Sequence, residues 1–447
     1  MDPAVKAAGE LNTIFARLEV PCEVLVTGEE GKHVRATAPL EAGVALVEEL
    51  PIISWPSAPL LQLRLPFCFQ CLRLSCHRLP SEEPTTATAA AAAVLPSPSW
   101  TRCGQCESYF CSPECHQASA RVHRLLCSCL PAVREAGQAG ATASAPSSAS
   151  SAAASSSSGI TLEALARCVA WITHRLSHVI EQQRLTHDVL QADYAQQPRL
   201  PGGDAEKSVV WSSSSLNYQL FTQVVAPFSR LISPPDGVSF GGISLTAWMA
   251  TLRALLAARC AKVLLVASGA SLAVVQTCAV AVGDGRGRQA PDAAPAPLLW
   301  AEALVSTLFS DDTLRTLVGQ MMLNAHAVND YVLPCCDGDA APAPATFDWI
   351  LKGAGLYSLL ASFNHSCAPN AAVSHVDDTH EVVLRTTRPV RAGEALTITY
   401  IPLGAGADSR AERQRQLKNY FFTCRCSRCV AEAAGEDAGS DVAALVT

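Results

Sequence analysis

Cysteines are the residues of this chain whose spacing most clearly indicates chemistry, since 19 of its 447 residues are cysteine and many stand in close pairs. Four pairs lie between residues 68 and 127, the last of them joining a histidine to a cysteine. Structural zinc takes four thiolate or imidazole ligands, and closely spaced pairs let two ligands reach one ion. The eight predicted zinc ligands are Cys68, Cys71, Cys103, Cys106, Cys111, Cys115, His123 and Cys127.

The number of ions in this segment follows from the distance between two of its ligands. Ser112-Pro113 favours the start of a helix, so Cys115 and His123 are expected on one helix. They are eight residues apart, which is about 12 Å along a helix, whereas the ligand atoms of one zinc ion lie within roughly 4 Å of each other. One ion cannot bind both residues, so two zinc ions are required.

A second group of three cysteines lies near the C-terminus, Cys424, Cys426 and Cys429. Three thiolates leave a tetrahedral zinc site incomplete, so a fourth ligand must come from elsewhere. Cys367 is the nearest unassigned candidate with a reason to be close. Cys335 and Cys336, which lie in a Pro/Gly/Ala-rich loop, compete with it.

The composition limits the compartment and the partners. The first residues contain no apolar segment after a basic start, so no export signal is predicted. The cysteines are then expected in a reducing compartment, the cytoplasm, the nucleus or both. The net charge is −7 and no run of lysine and arginine is present, so direct nucleic-acid binding is not expected.

One uncharged segment, residues 263–283, is long enough to span a bilayer. Polar residues interrupt it, and the preceding residues 248–265 have the pattern of an amphipathic helix. We therefore expect a buried pair of helices with a turn at Ser268-Gly269 rather than a membrane span.

Two segments of low complexity divide the chain. Residues 81–99 are rich in Thr, Ala and Pro, and residues 141–159 are almost entirely Ser and Ala. Both are expected to be disordered, because such compositions bury too little apolar surface to fold. After them, apolar residues recur at helical spacing behind Thr161, which can cap a helix, and this predicts a helical middle region.

The two ends of the chain contain a hidden internal repeat. Residues 35–46 and 385–396 agree at seven of twelve positions, including Pro39 with Pro389 and Gly43 with Gly393. Each copy places a turn before a short β-prone run. The repeat predicts one β domain whose N-terminal and C-terminal parts meet in space; chance similarity in an alanine-rich chain is the alternative.

Three motifs together resemble a known family. The ligands of residues 68–127, with Tyr109-Phe-Cys-Ser-Pro-Glu-Cys115 among them, resemble a MYND zinc finger. Asn364-His-Ser-Cys-Ala-Pro-Asn370 and Gly393-Glu-Ala-Leu-Thr-Ile-Thr-Tyr400 resemble the two signature motifs of SET-domain lysine methyltransferases. A MYND finger inside a split SET domain is the architecture of the SET and MYND domain (SMYD) family. Because the chain stops shortly after its last cysteine group, we expect a member without the helical C-terminal domain of other members.

The resemblance implies a site for S-adenosylmethionine and a lysine side chain. Tyr400 would be the catalytic tyrosine and Tyr420 would line the lysine channel. In the finger, the first and third pairs would share one ion and the second and fourth pairs the other. Cys367 would complete a third zinc site with the C-terminal cysteines. The implied cofactor-binding residues are Gly31, Lys32, His33, Asn364, His365, Tyr400 and Phe422.

One departure from the family pattern concerns the turn at the cofactor. The family's Gly-x-Gly reads Gly31-Lys32-His33 here. Glycine permits a positive φ and close approach to a ligand, so the histidine is expected to be strained or to crowd the cofactor. Two functions stay open: methylation of a lysine in a histone or another protein, such as a ribosomal protein, or an inactive SET scaffold that serves as an adaptor through its finger.

The predicted fold class is α+β, a split β-rich SET domain with an inserted finger, a helical insertion and a cysteine-rich C-terminal segment. The two SET motifs are expected to thread into a pseudoknot. We expect a monomer whose partners are a protein substrate and a peptide on the finger. The predicted boundaries are 20–66 for the N-terminal SET part, 67–130 for the finger with its insert 81–99, 131–160 for a disordered linker, 161–350 for the helical region, 351–403 for the SET core, 404–432 for the C-terminal zinc segment and 433–447 for a disordered tail.

Overall fold

The computed structural model describes residues 2–63, 66–75, 99–141, 160–198, 209–234, 244–281, 299–334, 347–404 and 409–434. Helices and strands occupy separate parts of the chain, which confirms the predicted α+β class. The strands are β1 (Cys22–Thr27), β2 (Gly31–Ala36), β3 (Ala45–Glu49), β4 (Ile53–Pro56), β5 (Thr101–Arg102), β6 (Tyr109–Phe110), β7 (Ala325–Pro334), β8 (Phe347–Leu356), β9 (Asn364–His365), β10 (Ala371–His375), β11 (Val382–Thr386) and β12 (Ala395–Ile398).

The larger sheets combine strands from both ends of the chain. Their orders are β1-β2-β12-β9, β10-β11-β3 and β4-β8-β7, while β5 and β6 form a small hairpin in the finger. The β2–β12 and β3–β11 pairs are antiparallel, whereas β12 runs parallel to β9. The prediction of one β domain split by insertions is therefore confirmed.

The two copies of the internal repeat face each other across these sheets. Leu40 and Val390 exchange both of their backbone hydrogen bonds, each 2.9 Å long. The turn glycines are also matched, since Gly43 and Gly393 have φ of +85° and +79° and each donates its N–H to a carbonyl of the other copy. This reciprocal pairing gives the repeat an approximate two-fold relation, and the two copies meet in space as the sequence predicted.

The helices surround the sheets and build the middle of the chain. They are α1 (Pro3–Arg17), α2 (Ala58–Leu63), α3 (Pro113–Leu126), α4 (Leu130–Ala141), α5 (Leu162–Gln183), α6 (His187–Ala195), α7 (Leu216–Ser229), α8 (Leu245–Ala267), α9 (Leu272–Ala281), α10 (Trp300–Leu308), α11 (Asp311–Asn324) and α12 (Arg410–Leu417). Helix α5 is buried along most of its length, and its core joins the finger to the helical region. Thr161 caps α5 by accepting the N–H of Ala164 at 3.2 Å, as the sequence predicted.

The uncharged segment of residues 263–283 does not form one long helix. Helix α8 ends before Ser268, and Gly269, with φ of +71°, turns the chain into α9. Among the described residues, no helix has the length and apolar character needed to cross a membrane. The helix pair expected from the sequence is thus present.

Two predicted boundaries differ from the structure. Residues 131–141, expected in a disordered linker, belong to α4, because Leu130 and Val133 are fully buried in the core and stabilise the helix. The region expected to be helical up to residue 350 ends in β7 and in the start of β8, which completes a sheet with β4. The expected disorder of residues 81–98, 142–159 and 435–447, and the alternative ligands Cys335 and Cys336, lie outside the described residues.

Candidate functional site

Tyr400, which follows β12, is the centre of an aromatic cluster. Its ring centroid lies 5.2 Å from that of Tyr420, 5.4 Å from that of His365 and 6.3 Å from that of Phe422. The Tyr400 hydroxyl donates a hydrogen bond of 2.8 Å to the carbonyl of Phe363. Burial and the neighbouring Tyr420 raise the pKa of Tyr400 well above its usual range, so its hydroxyl stays protonated.

The two signature motifs lie side by side at this cluster. Strand β9 pairs with β12 so that Asn364 and His365 face the residues just before Tyr400. The Asn370 side chain connects the two motifs by hydrogen bonds: its oxygen accepts the Thr397 N–H at 2.8 Å, and its nitrogen donates to the Ala395 carbonyl at 2.8 Å. Residues far apart in sequence are thus held in one place by backbone pairing.

His365 connects Tyr400 to a cysteine. Its Nδ1 accepts the backbone N–H of Tyr400 at 3.0 Å, and its Nε2 lies 3.3 Å from the sulfur of Cys367. Because Nδ1 accepts, the proton of the neutral ring is on Nε2 and is donated to the sulfur. Burial, with help from Arg413, lowers the pKa of His365 to about 4, which keeps the ring neutral near pH 7.

The third cysteine cluster lies directly behind this histidine. The sulfurs of Cys367 and of the three C-terminal cysteines all lie within 4.8 Å of one another, so the structure brings together the set implied by the family resemblance. The sequence did not indicate Arg413, whose buried guanidinium lies 3.6 Å from the Cys429 sulfur and 2.6 Å from a Glu432 carboxylate oxygen. Arg413 stands among three other arginines and lysines of α12 and its end, and nothing in the sequence separates it from them.

The turn expected to contact the cofactor adapts to its histidine. Gly31 has φ of +62°, and an added Cβ there would meet no atom within 4 Å, so space is open beside it. His33 lies opposite Leu25 in regular β2, and its ring is buried 3.1 Å from a Glu30 carboxylate oxygen. The expectation of strain at His33 was wrong, because the left-handed position is Gly31. Asn364 approaches the same turn by donating its amide to the Glu30 carbonyl at 2.9 Å.

Lys32 points from this turn to the inserted helices. Its ammonium donates to the Arg230 carbonyl, just beyond α7, at 2.5 Å. Burial and the charge of Arg230 lower the pKa of Lys32 to about 8. In the expected contact with the cofactor, the Lys32 ammonium would therefore also donate to the Arg230 carbonyl.

The finger residues form two separate clusters. The first contains the first and third pairs, with the Cys111 sulfur 3.6 Å from those of Cys71 and Cys115. The second contains the second and fourth pairs, with the Cys106 sulfur 3.1 Å from Nε2 of His123. Cys115 and His123 thus fall into different clusters, as the helix spacing required.

A buried charge network, which the sequence did not reveal, docks the finger on α5. Glu163 accepts hydrogen bonds from Arg134 and Arg167, and Arg167 also donates to the carbonyls of Ser54 and Phe69. Burial raises the pKa of Glu163, but the two guanidinium groups outweigh it and hold the pKa at about 2. The Glu163–Arg167 spacing of four residues was the available signal, and on a helix such a pair usually lies in solvent.

Comparison with known proteins places these features in a family. The sequence model of the SET domain matches residues 31–401. The chain is 40% identical over 91 residues to protein-lysine N-trimethyltransferase SMYD5 of Gallus gallus, over 20% of this chain and 22% of that protein. It is 40% identical over 78 residues to histone-lysine N-methyltransferase SMYD3 of Mus musculus, over 17% of each chain.

A SET and MYND domain-containing protein of Dictyostelium discoideum is 38% identical over 81 residues, 18% of this chain and 15% of that protein. The matched segments span about a fifth of the length of these relatives. The SET domain match covers both signature motifs and the finger between the two halves. The chain therefore belongs to the SET domain family, and within it is similar to SET and MYND domain proteins.

Proposed function

We propose that this protein is an S-adenosylmethionine-dependent protein-lysine N-methyltransferase. The observation that carries the proposal is the pairing of Asn364 and His365 with β12, the strand just before Tyr400, which gathers both signature motifs around one aromatic cluster. The relatives named as lysine methyltransferases support it.

The residues present fit the cofactor. Phe422 is 37% exposed although its ring lies beside His365 and Tyr400, so one ring face is available for the adenine. Space is open at Gly31. Asn364 donates a hydrogen bond to the same turn, and it directly precedes His365, whose ring lies beside that of Phe422. S-adenosylmethionine, when bound, would supply a methyl group on a positively charged sulfur.

The chain's own residues would prepare the lysine amine. A free lysine has a pKa near 10.4, so about one side chain in 2,500 is neutral at pH 7, and only the neutral amine has a lone pair for attack. The Tyr400 and Tyr420 rings would desolvate the amine and favour its neutral form. The Tyr400 hydroxyl, held at the Phe363 carbonyl, would orient the amine.

We further propose that the three cysteine clusters hold zinc. Two clusters offer four cysteines and one offers three cysteines and a histidine, which are donor sets that zinc prefers. Burial lowers the pKa of His123, so its ring is neutral and able to act as a ligand. The ions would fold the finger and hold the C-terminal segment at the site.

The substrate would be a protein lysine, in a histone or in another protein such as a ribosomal one, and the finger would bind a peptide partner. We propose a monomer that works in the cytoplasm, the nucleus or both. The adaptor function is the alternative, and the strain at His33 that would have favoured it is absent, because His33 lies in a regular strand without a positive φ.

Calorimetry with S-adenosylmethionine on zinc-loaded protein, followed by transfer of labelled methyl groups to histone and ribosomal protein mixtures, tests this function. We expect binding and transfer, and a Tyr400→Phe variant slower by about 10²- to 10³-fold, in the range of one positioned hydroxyl. Tyr218→Phe, at a partly exposed tyrosine on α7, is the matched control. Absence of cofactor binding would overturn the enzyme proposal and leave the adaptor; full activity of Tyr400→Phe would remove the role of that tyrosine.

A further inference from the structure

Glu49, the last residue of β3, is half-buried, and its carboxylate faces a backbone turn. Its oxygens accept the N–H groups of Ser358, Leu359 and Leu360 at 2.7 to 3.1 Å. These three donors lie just before and at the start of a short 3-10 turn, Leu360–Ser362, that comes just before the Asn364 motif. One side chain from the N-terminal half of the domain thus anchors the segment that leads into the C-terminal half of the site.

This segment leads to the Phe363 carbonyl, the hydrogen-bond acceptor of the Tyr400 hydroxyl. The turn at residues 360–362 is closed by the Phe363 N–H, which donates to the Leu360 carbonyl at 3.2 Å. The carbonyl of Phe363 then accepts the Tyr400 hydroxyl. Because the segment is short and Leu360 and Phe363 are fully buried, a shift at its beginning moves the Phe363 carbonyl.

The contact requires a carboxylate rather than an amide. Both oxygens of Glu49 accept N–H groups: Oε1 accepts from Ser358 and Leu359, and Oε2 accepts from Leu359 and Leu360. A glutamine has one oxygen, and its NH₂ group would face a backbone N–H, donor against donor. The guanidinium of Arg230, which pairs with Glu10 at 3.0 Å, donates to the Ser358 hydroxyl at 3.3 Å and so contacts the same segment.

We propose that Glu49 is a positioning residue for the methyl transfer, acting through residues 358–363 to set the direction of the Tyr400 hydroxyl. The proposal rests on the proposed function of the site. The N-terminal half of the split domain would then contribute to methyl transfer through Glu49 as well as through the turn at Gly31.

The test is a double-mutant cycle between Glu49→Gln and Tyr400→Phe, measured as single-turnover methyl transfer. In the wild-type background we expect Glu49→Gln to lower the rate by about 10- to 100-fold, as a misplacement near 1 Å does. The dissociation constant for S-adenosylmethionine should change by less than about twofold, since Asn364 and Phe422 are untouched. In the Tyr400→Phe background, Glu49→Gln should have little further effect, because the hydroxyl it positions is gone.

An equal loss of rate in both backgrounds would overturn the proposal, since Glu49 would then act on stability in general. Glu48→Gln, at the exposed neighbour on the same strand, is the matched control and should transfer methyl groups at the wild-type rate. Hydrogen–deuterium exchange separates this proposal from the proposed function, because it needs no activity. The amides of residues 358–360 should lose protection in Glu49→Gln alone, and unchanged protection would overturn the anchoring.

Discussion

The finger and the C-terminal cysteine segment are both built on clustered cysteines, but they are joined to the molecule in different ways. All proposed ligands of the finger lie in the segment from Cys68 to Cys127, and the finger docks on α5 through the buried Arg167, which donates to the Phe69 carbonyl and pairs with Glu163. The C-terminal cluster takes Cys367 from a signature motif, 57 residues before Cys424. His365 then links that cluster to Tyr400.

Whether the cysteines of a cluster are local or come from distant segments determines what the cluster does for the site. A cluster whose ligands are all local folds its own segment and leaves the rest of the chain to dock by other contacts. A cluster that borrows a ligand from the motif beside Tyr400 fixes the distance between two segments, here the one with Tyr400 and the one with Tyr420 and Phe422. Loss of the second kind of cluster should therefore affect catalysis more directly.

The largest expected effect comes from comparing Cys424→Ser with Cys111→Ser. Each variant should lose one of three zinc ions, measured as zinc per chain. In Cys424→Ser, loss of a structural ion worth about 10 kcal/mol or more releases Tyr420 and Phe422. We expect methyl transfer below about a thousandth of the wild-type rate, a loss of about 4 kcal/mol.

Cys111→Ser, by contrast, should keep most of its activity, because the first finger cluster does not contact the aromatic residues around Tyr400. Circular dichroism serves as the control that both variants keep the helices of the middle region. Equal loss of activity in the two variants would contradict the comparison and make the finger part of the catalytic machinery.

The next effect is on the docking of the finger. In Glu163→Gln the guanidinium groups of Arg134 and Arg167 lose their buried counter-charge, and breaking such a pair costs about 3–5 kcal/mol. The free energy of unfolding, from urea titration of zinc-loaded protein, should fall by that amount. Glu181→Gln on the same helix is the matched control, because its pair with Arg121 is about half exposed and such pairs contribute about 1 kcal/mol or less. Similar losses in both variants would show that the network does not anchor the finger.

The sequence predicted the parts of this comparison that depend on spacing. Cysteine pairs and helix rise separated the two finger clusters, and the repeat at Gly43 and Gly393 predicted that the chain ends meet. The docking contacts could not be predicted in the same way, because the pair Glu163 and Arg167 has the spacing of a solvent-exposed helix pair. Its burial depends on packing between the finger and α5, which spacing does not show.

The sequence also could not predict which residue of a turn takes the left-handed backbone conformation. At the cofactor turn, the motif placed histidine where the family has its second glycine, but only the structure shows that Gly31 alone takes the positive φ. Likewise, α4 continues into the predicted linker because buried side chains stabilise a helix that composition alone does not favour. Both errors arise where tertiary contacts decide between local conformations.

A third prediction concerns pH at a second contact beside the finger. His380 is buried, and its Nδ1 is hydrogen-bonded to the Ser54 hydroxyl at 2.7 Å. Burial lowers its pKa to about 4, and the charged or titratable groups that face it are Cys68, Arg167 and His375.

Because the unfolded chain takes up the proton near pH 6.5 and the folded chain only near pH 4, stability is full above pH 6.5 and falls as the pH is lowered between these values. The loss from His380 should reach about 3 kcal/mol, so His380→Asn, which keeps a hydrogen-bonding group for Ser54, should flatten the pH dependence of urea unfolding. An unchanged slope in His380→Asn would mean that His380 does not resist protonation.

The smallest effect is expected for Phe422→Ala, which tests whether the C-terminal segment contacts the cofactor itself besides holding its proposed zinc site. Phe422 lies two residues before Cys424 and beside Tyr400, so its ring is placed by the cluster but would contact the cofactor directly. Phe422→Ala should weaken S-adenosylmethionine binding by about 1–3 kcal/mol, as loss of a stacked aromatic ring does for a nucleobase, while zinc stays at three ions per chain. Phe421→Ala, which removes a more exposed neighbouring ring, should bind the cofactor as wild type does. If Phe422→Ala lost zinc as well as affinity, the ring would be part of the metal site's support, and the segment would serve the site through its metal alone.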